Sequence, residues 1–358
     1  MGRFLRTAFA VMGLGVALGS TSLHADEPCC AANEPCCAAA EASCSLTECV
    51  DAASQPCNQC NECATCDCCQ CGGCCDKSAW YGYAGAIFLT RDGSNAGTII
   101  GRNPPGPGPA FLSGTNFNFD NQSGYDTTIG RRFANGNAIE ARYFGVDDIF
   151  ATNTIVTPSN FIGVGFTGPT GTTAFSRYWT QVKSIEANYK HAFGDRLSVL
   201  GGFRYVQLND TLRTTLNNNV ATGLYEFQND LYGGQVGLDL LLTDPSSALE
   251  LRVVGKAGWY QNDYSGGIRE FQGNNPIGSF LGIDQGTSFV GDLVFSGSYW
   301  INEHVALRGG YQLLWIGDVA LAGDEAARSQ LNPALLRTPK HDGDVFMHGA
   351  MVGIEFMW

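Results

Sequence analysis

From Trp80 to the C-terminus, apolar and polar positions alternate with a period of two. That is the spacing of strands with one face in an apolar medium and the other in a polar one. The alternation predicts ten strands, at Trp80–Arg91, Asn118–Phe133, Asn137–Asp147, Arg177–His191, Arg196–Leu208, Tyr225–Leu242, Leu249–Asn262, Ser288–Trp300, His304–Ile316 and Val345–Trp358. No helix of three or more turns is expected; Asp324 to Leu336 is the nearest candidate, read as one short surface helix.

The last strand states the problem. One face carries Phe346, Ala350, Val352, Ile354, Phe356 and Trp358, interrupted by His348; the other carries Met347, Gly349, Met351, Gly353, Glu355 and Met357. In water such an apolar face needs a second protein layer, whereas in a membrane lipid covers it. Other strands repeat the pattern. Leu249, Leu251, Val253, Ala257 and Trp259 oppose Glu250, Arg252, Lys256 and Asn262, while Val305, Leu307, Tyr311, Leu313 and Trp315 oppose Arg308 and Gln312.

The connections decide between solvents. Short turns at Ala134–Gly136, Ala192–Asp195, Thr243–Ala248 and Ile301–Glu303 alternate with long connections. The long ones are Asp92–Phe117, Asp148–Ser176, Asn209–Leu224, Asp263–Thr287 and Gly317–Asp344. A soluble two-sheet sandwich explains the alternation of faces but not this rhythm. A transmembrane antiparallel β-barrel has short periplasmic turns and long external loops, and an even strand number puts both termini on the periplasmic side. Aromatics near the strand ends, Trp80, Tyr81, Trp179, Trp259, Tyr260, Trp300, Trp315 and Trp358, suit two interfacial girdles. The expected fold is therefore all-β, a barrel of about 10 strands within a range of roughly 8–12.

In such a barrel the polar faces line the lumen. The expected lumen set is Glu140, Arg142, Arg204, Gln235, Asp239, Glu250, Arg252, Lys256, Asp292, Arg308, Gln312 and Glu355, nearly balanced in charge. A narrow interior forces these ions either to pair across it as a plug or to be wetted as a small, weakly selective pore. Both readings stay open at this point.

The N-terminus adds a different chemistry. Arg3 and Arg6 precede an apolar run from Ala8 to Gly19 and a small-residue site at Leu23-His24-Ala25, so residues 1–25 read as a secretory signal peptide. Residues 26–78 form an acidic, Cys-rich segment, and residues 79–358 form the barrel. All 15 cysteines lie in that segment: Cys29, Cys30, Cys36, Cys37, Cys44, Cys49, Cys57, Cys60, Cys63, Cys66, Cys68, Cys69, Cys71, Cys74 and Cys75. With hardly a large apolar residue, it cannot build a core of its own. Export favours disulfides, and the odd count requires at least one thiol to stay free, bind metal or pair with another chain. Disulfide-linked self-association, cross-links to wall-associated partners, a multi-metal thiolate cluster and a disordered tether are the alternatives.

Net charge is −13, which argues against a nucleic-acid partner. Outside the signal, His191, His304, His341 and His348 show no metal-binding interval, and neither a phosphate-cradling loop nor a Gly-x-Ser-x-Gly elbow occurs. The sequence therefore nominates no catalytic, cofactor or metal-ligating residue. It implies a non-enzymatic barrel with lipid as its main partner: a pore, a structural envelope barrel, or a surface protein cross-linked through its cysteines.

Three segments, Gly201–Asp210, Asn229–Leu238 and Leu307–Ala322, together with Trp80–Gly93, resemble a family of planctomycete outer-membrane β-barrel proteins. That family is similar to the pore-forming outer-membrane proteins of Legionella. The resemblance is distributed over Trp80 to Trp358 and excludes the Cys-rich segment. It implies an exported barrel and no particular solute, and it implies that the C-terminal aromatic is the mark read by barrel-insertion machinery.

Overall fold

The computed structural model describes residues 79–93, 96–105, 109–217, 219–245, 247–329 and 338–358. Residues 1–25, read as a signal peptide, and all fifteen cysteines lie outside the described residues. Among the described residues, ten strands close into one antiparallel ring. In chain order they are β1 (Ala79–Arg91), β4 (Gln122–Arg132), β5 (Ala138–Val156), β8 (Thr173–Phe193), β9 (Leu197–Leu216), β10 (Ala221–Leu241), β11 (Leu249–Gln272), β12 (Asn275–Trp300), β13 (Val305–Val319) and β14 (Gly343–Met357). Each pairs with its neighbour in the chain, and the last strand closes on the first, with Tyr81 opposite Met357 and Arg91 opposite Met347.

The register fixes the geometry of the ring. A path of Cα partners from Ala79 runs through Arg132, Ala138, Lys190, Leu200, Gly237, Lys256, Asp292, Leu314 and Met347 and returns to Arg91. The path thus comes back to β1 at residue 91 instead of 79, a stagger of 12 residues. With strands about 4.8 Å apart and rising about 3.3 Å per residue, this stagger tilts them by about 40°.

The outward faces change character at one level. On β10, Leu240, Leu238, Val236, Gly234 and Tyr232, following Leu242 just past its end, give way to Asp230 and Gln228. On β9, Val199, Gly201, Phe203 and Tyr205 give way to Gln207 and Asn209. On β11, Leu249 to Trp259 give way to Gln261 and Asp263. Eleven residues at that tilt climb about 25 Å, the height of a lipid-facing apolar band. Trp80, Phe193, Tyr299 and Trp358 lie exposed at its lower edge; Phe88, Tyr125, Tyr232 and Trp259 lie exposed at its upper edge.

Three of the aromatics expected in the girdles turn inward instead. Tyr81 donates its hydroxyl to Glu140, the Trp300 indole donates to Glu250, and Tyr260 is buried. Each carries a polar tip that satisfies an interior acceptor, so parity along the strand overrides the preference of the ring for an interface.

Two connections expected to be long are strands. β9 and β10 run up to a tight turn at residues 217–220, where Asn217 and Asn219 adopt positive φ. β11 and β12 form a tall hairpin whose tip is Gly273, at φ +60°. Beyond the apolar band the outer positions of β9, β10 and β11 include Gln207, Asn209, Asp230, Gln228, Gln261 and Asp263, while Ile277, Leu281 and Ile283 stand exposed on β12. A loop-like composition there conceals a period that persists inside, at Leu208, Leu212 and Leu216.

The other long connections fold at the opposite end of the ring from the short turns. They supply a four-stranded sheet ordered β3 (Leu112–Ser113), β2 (Thr98–Arg102), β6 (Phe161–Gly163) and β7 (Phe166–Gly168). They also supply the helix α1 (Ala322–Ser329). α1 was expected on the surface, yet Ala322, Gly323, Glu325, Ala326 and Ser329 are buried. The loop apolar residues Ile99, Ile100, Leu112, Phe161 and Leu321 join the same core as the inward-facing Ile87, Leu89, Val206, Leu208, Leu231 and Met347.

Candidate functional site

The barrel interior is the candidate site, and alternation builds it: every second side chain of each tilted strand points into the ring. Its central feature is a belt of charged and amide groups contributed by eight strands. Arg142 on β5 donates from Nε and Nη2 to the two carboxylate oxygens of Asp126 on β4, both at 2.9 Å. Arg142 also donates to Gln312 Oε1 on β13 at 2.8 Å, and Gln312 Nε2 donates to Asp292 on β12 at 3.0 Å. Arg204 on β9 donates to Asp292 at 3.1 Å and to Ser184 at 2.8 Å. Lys256 on β11 donates to Glu186 on β8 at 2.5 Å and lies 3.4 Å from Asp292. Gln235 on β10 donates to Glu186 at 2.6 Å and accepts the Tyr260 hydroxyl at 3.2 Å.

The belt contains three cations, Arg142, Arg204 and Lys256, and three carboxylates, Asp126, Glu186 and Asp292, all buried. Charges removed from water to this degree are tolerated only with partners, and each of the six has one, although Arg204 Nη2 has no hydrogen-bond partner among the described residues. Many of the contacts cross the interior instead of following one strand pair.

A second layer lies toward the short-turn end. Lys190 bridges Glu140 at 2.7 Å and Asp239 at 3.1 Å, and Arg252 bridges Asp239 at 3.1 Å and Glu250 at 3.2 Å. Arg308 faces Glu355 at 3.6 Å, and Ser298 donates to the same carboxylate at 2.8 Å. Asp239 is buried, while Glu140, Lys190, Glu250, Arg252, Arg308 and Glu355 are more exposed than the belt, so this end is a vestibule floored by ion pairs.

On the other side of the belt the interior turns apolar. Ile87, Leu89, Val146, Val182, Val206, Leu231, Ile316 and Met347 are fully buried there. Above them a second polar group holds the loops. Arg91 pairs with Asp210 and Thr180; Asp210 accepts the Tyr178 hydroxyl at 2.6 Å and the Ala322 backbone N–H at 2.9 Å. Asn229 both accepts from the Ala320 N–H and donates to its carbonyl, each at 2.8 Å. The segment that enters α1 is thereby fastened inside the mouth.

Each residue of the expected lumen set thus lies inside the ring: Arg142, Arg204, Gln235, Lys256, Asp292 and Gln312 in the belt, and Glu140, Asp239, Glu250, Arg252, Arg308 and Glu355 in the vestibule. Sequence reasoning missed Asp126, Glu186, Lys190, Arg91 and Asp210. Glu186 and Lys190 share the inward parity of Ser184 and Asn188, so period two could have found them. Asp210 fell in a stretch read as a loop, although it shares the inward parity of Leu208 and Leu212.

No family model matches the chain, and no curated protein matches it. Among solved structures it is similar to the outer membrane protease OmpT from Escherichia coli, with 8% identity and a TM-score of 0.42 over 79% of this chain and 97% of that one. It is also similar to the toluene transporter TbuX from Ralstonia pickettii, with 12% identity and a TM-score of 0.31 over 80% of this chain and 90% of that one. The translocator domain of the autotransporter NalP from Neisseria meningitidis matches with 11% identity and a TM-score of 0.31, over 78% of this chain and 87% of that one. At these identities the likeness concerns the fold and carries no inference about activity or ligand.

Proposed function

We propose that the chain is an outer-membrane β-barrel with a closed interior, a structural element of the cell envelope and not an open pore. Three features support the membrane reading: the signal-like N-terminus, the apolar band on the outward faces, and the change to polar residues at a common level on β9, β10 and β11. In this reading the short turns and both termini are periplasmic, and lipid is the main partner. The Cys-rich residues 26–78 then enter an oxidising compartment, where they serve as disulfide cross-links to other copies or to wall-associated material.

The single observation that carries the closed reading is the belt of Asp126, Arg142, Glu186, Arg204, Gln235, Lys256, Asp292 and Gln312, bonded across the interior beneath a fully buried apolar layer. Ions crossing at that level would have to break several buried ion pairs at once. Full-length protein reconstituted in planar phospholipid bilayers is expected to give no discrete conductance steps. Reproducible steps from a single inserted barrel would overturn the closed reading and leave the membrane barrel standing. Electrophoresis of the exported protein with and without reductant tests the cross-links; identical mobility would reject them.

A further inference from the structure

β8 and β9 continue well past the apolar band, and their outward faces hold an arrangement the closed barrel does not use. Arg177 on β8 and Arg213 on β9 are direct cross-strand partners. Ser176 and Tyr178 flank the first and Leu212 and Thr214 the second, all buried, so both arginines point outward, and both are exposed. Like charges placed directly opposite each other destabilise a strand pair. Neither arginine forms an ion pair among the described residues. Elsewhere in the barrel Arg91, Arg142, Arg204, Arg252 and Lys256 all do.

Nearby side chains hold one of the two in place. The Arg177 guanidinium sits 5.1 Å from the centre of the Phe150 ring and 5.5 Å from that of Trp179. Stacking of this kind leaves the N–H edge of the guanidinium free for bidentate contacts. Thr152, exposed on β5, is the cross-strand partner of Arg177 on its other side. The surface therefore combines two uncompensated cations, aromatic rings and a hydroxyl, in a chain whose net charge is −13.

The level of the site narrows the ligand. Arg177 lies eight residues beyond Ile185, whose exposed apolar side chain is still in the band on β8. At a 40° tilt that is about 20 Å farther from the bilayer centre. A phosphate at the acyl-chain boundary does not reach so far, whereas the sugars of a large glycolipid headgroup do. We propose that Arg177 and Arg213 form a binding site for a phosphate-bearing saccharide headgroup of an outer-leaflet glycolipid. This rests on the membrane orientation proposed above.

The test uses the full chain in phosphatidylcholine nanodiscs doped with a glycolipid that carries a phosphorylated core oligosaccharide, or with the same glycolipid after phosphatase treatment. Native mass spectrometry counts the bound glycolipid. The phosphorylated form is expected to be retained and the dephosphorylated form lost. The R177Q/R213Q variant should weaken retention about tenfold or more, the equivalent of one charge-assisted hydrogen bond, and R177K/R213K should recover part of it. Without glycolipid the Gln variant should unfold no more readily than the parent, since a repulsion has been removed; a merely structural pair would predict the reverse. Equal retention of both glycolipid forms, undiminished retention by R177Q/R213Q, or full competition by inorganic phosphate alone would overturn the proposal. Failure of the parent chain to insert into the nanodisc would instead count against the membrane reading itself.

Discussion

Arg142 on β5 reaches Gln312 on β13, four strands away around the ring, with a hydrogen bond of 2.8 Å. One side chain thus ties distant walls of the barrel together while its other nitrogens engage Asp126. The bond exists because ten strands leave a lumen narrow enough for long side chains to span. It converts alternation along single strands into a cross-brace.

Removal of this brace should be costly. Arg142→Ala leaves Asp126 buried without its main partner and tips the belt toward excess negative charge. Breaking a buried pair from one side typically costs about 3–5 kcal/mol. Urea unfolding of the barrel in lipid vesicles should show a loss of that order. A variant as stable as the parent would mean that water enters the belt freely.

The clamp on the β13–β14 connection makes a separate prediction. Asn229→Ala removes the acceptor and the donor that hold Ala320, a loss of about 1–3 kcal/mol confined to the mouth. Limited proteolysis should then cut faster near Arg328, with little change in barrel unfolding. Because the belt lies below this clamp, the variant should still give no conductance.

Lipid contact can be probed by position. Val236, exposed in the apolar band on β10, should tolerate Arg poorly, at a cost of about 2–4 kcal/mol near mid-membrane. Gln261→Arg, just above the band on β11, should cost about 0–1 kcal/mol. Equal costs in vesicle unfolding would argue against lipid at Val236.

Glu270, near the tip of the β11–β12 hairpin and well outside the band, offers a pH-dependent test. Its carboxyl packs against Gly165, where φ is +84° and a Cβ would collide with it; its Oε1 has no hydrogen-bond partner. Burial raises its pKa above the ordinary carboxylate value. A raised acid pKa means that the folded tip binds the proton better than the open one, so local stability is greater at low pH and is lost as pH rises through the raised value. Glu270→Gln should therefore slow amide exchange around Gly165 and Gly278 at neutral pH. The difference from the parent should vanish below the ordinary Glu range. A difference that persists in acid would exclude this cause.

Much of this was legible in the chain. Strand number, the order of short turns and the inward position of residues such as Arg204, Lys256 and Asp292 follow from period two, because a strand sends alternate side chains to opposite faces whatever surrounds it. The tall β9–β10 and β11–β12 hairpins were not legible. Beyond the apolar band their outward positions are largely polar, and Thr, Asn and Gly there imitate a loop. Tyr81, Tyr260 and Trp300 were misplaced for a related reason: an aromatic ring suits an interface and an interior acceptor equally well, and only its parity on the strand decides.

By itself the sequence determined that the chain forms a ring of about ten strands with charge inside and apolar groups outside, since alternation and turn lengths are local properties. Which inward-facing charges meet depends on distances between strands far apart in the sequence. That was decided by the 12-residue stagger, which places Arg142 within reach of Gln312 and Arg204 within reach of Asp292. Loop packing decided the rest, by carrying Ile99, Leu112 and Leu321 into the mouth, where no periodicity marks them. Pairing across the ring is a tertiary property, because the partners meet only when the last strand, β14, closes on β1.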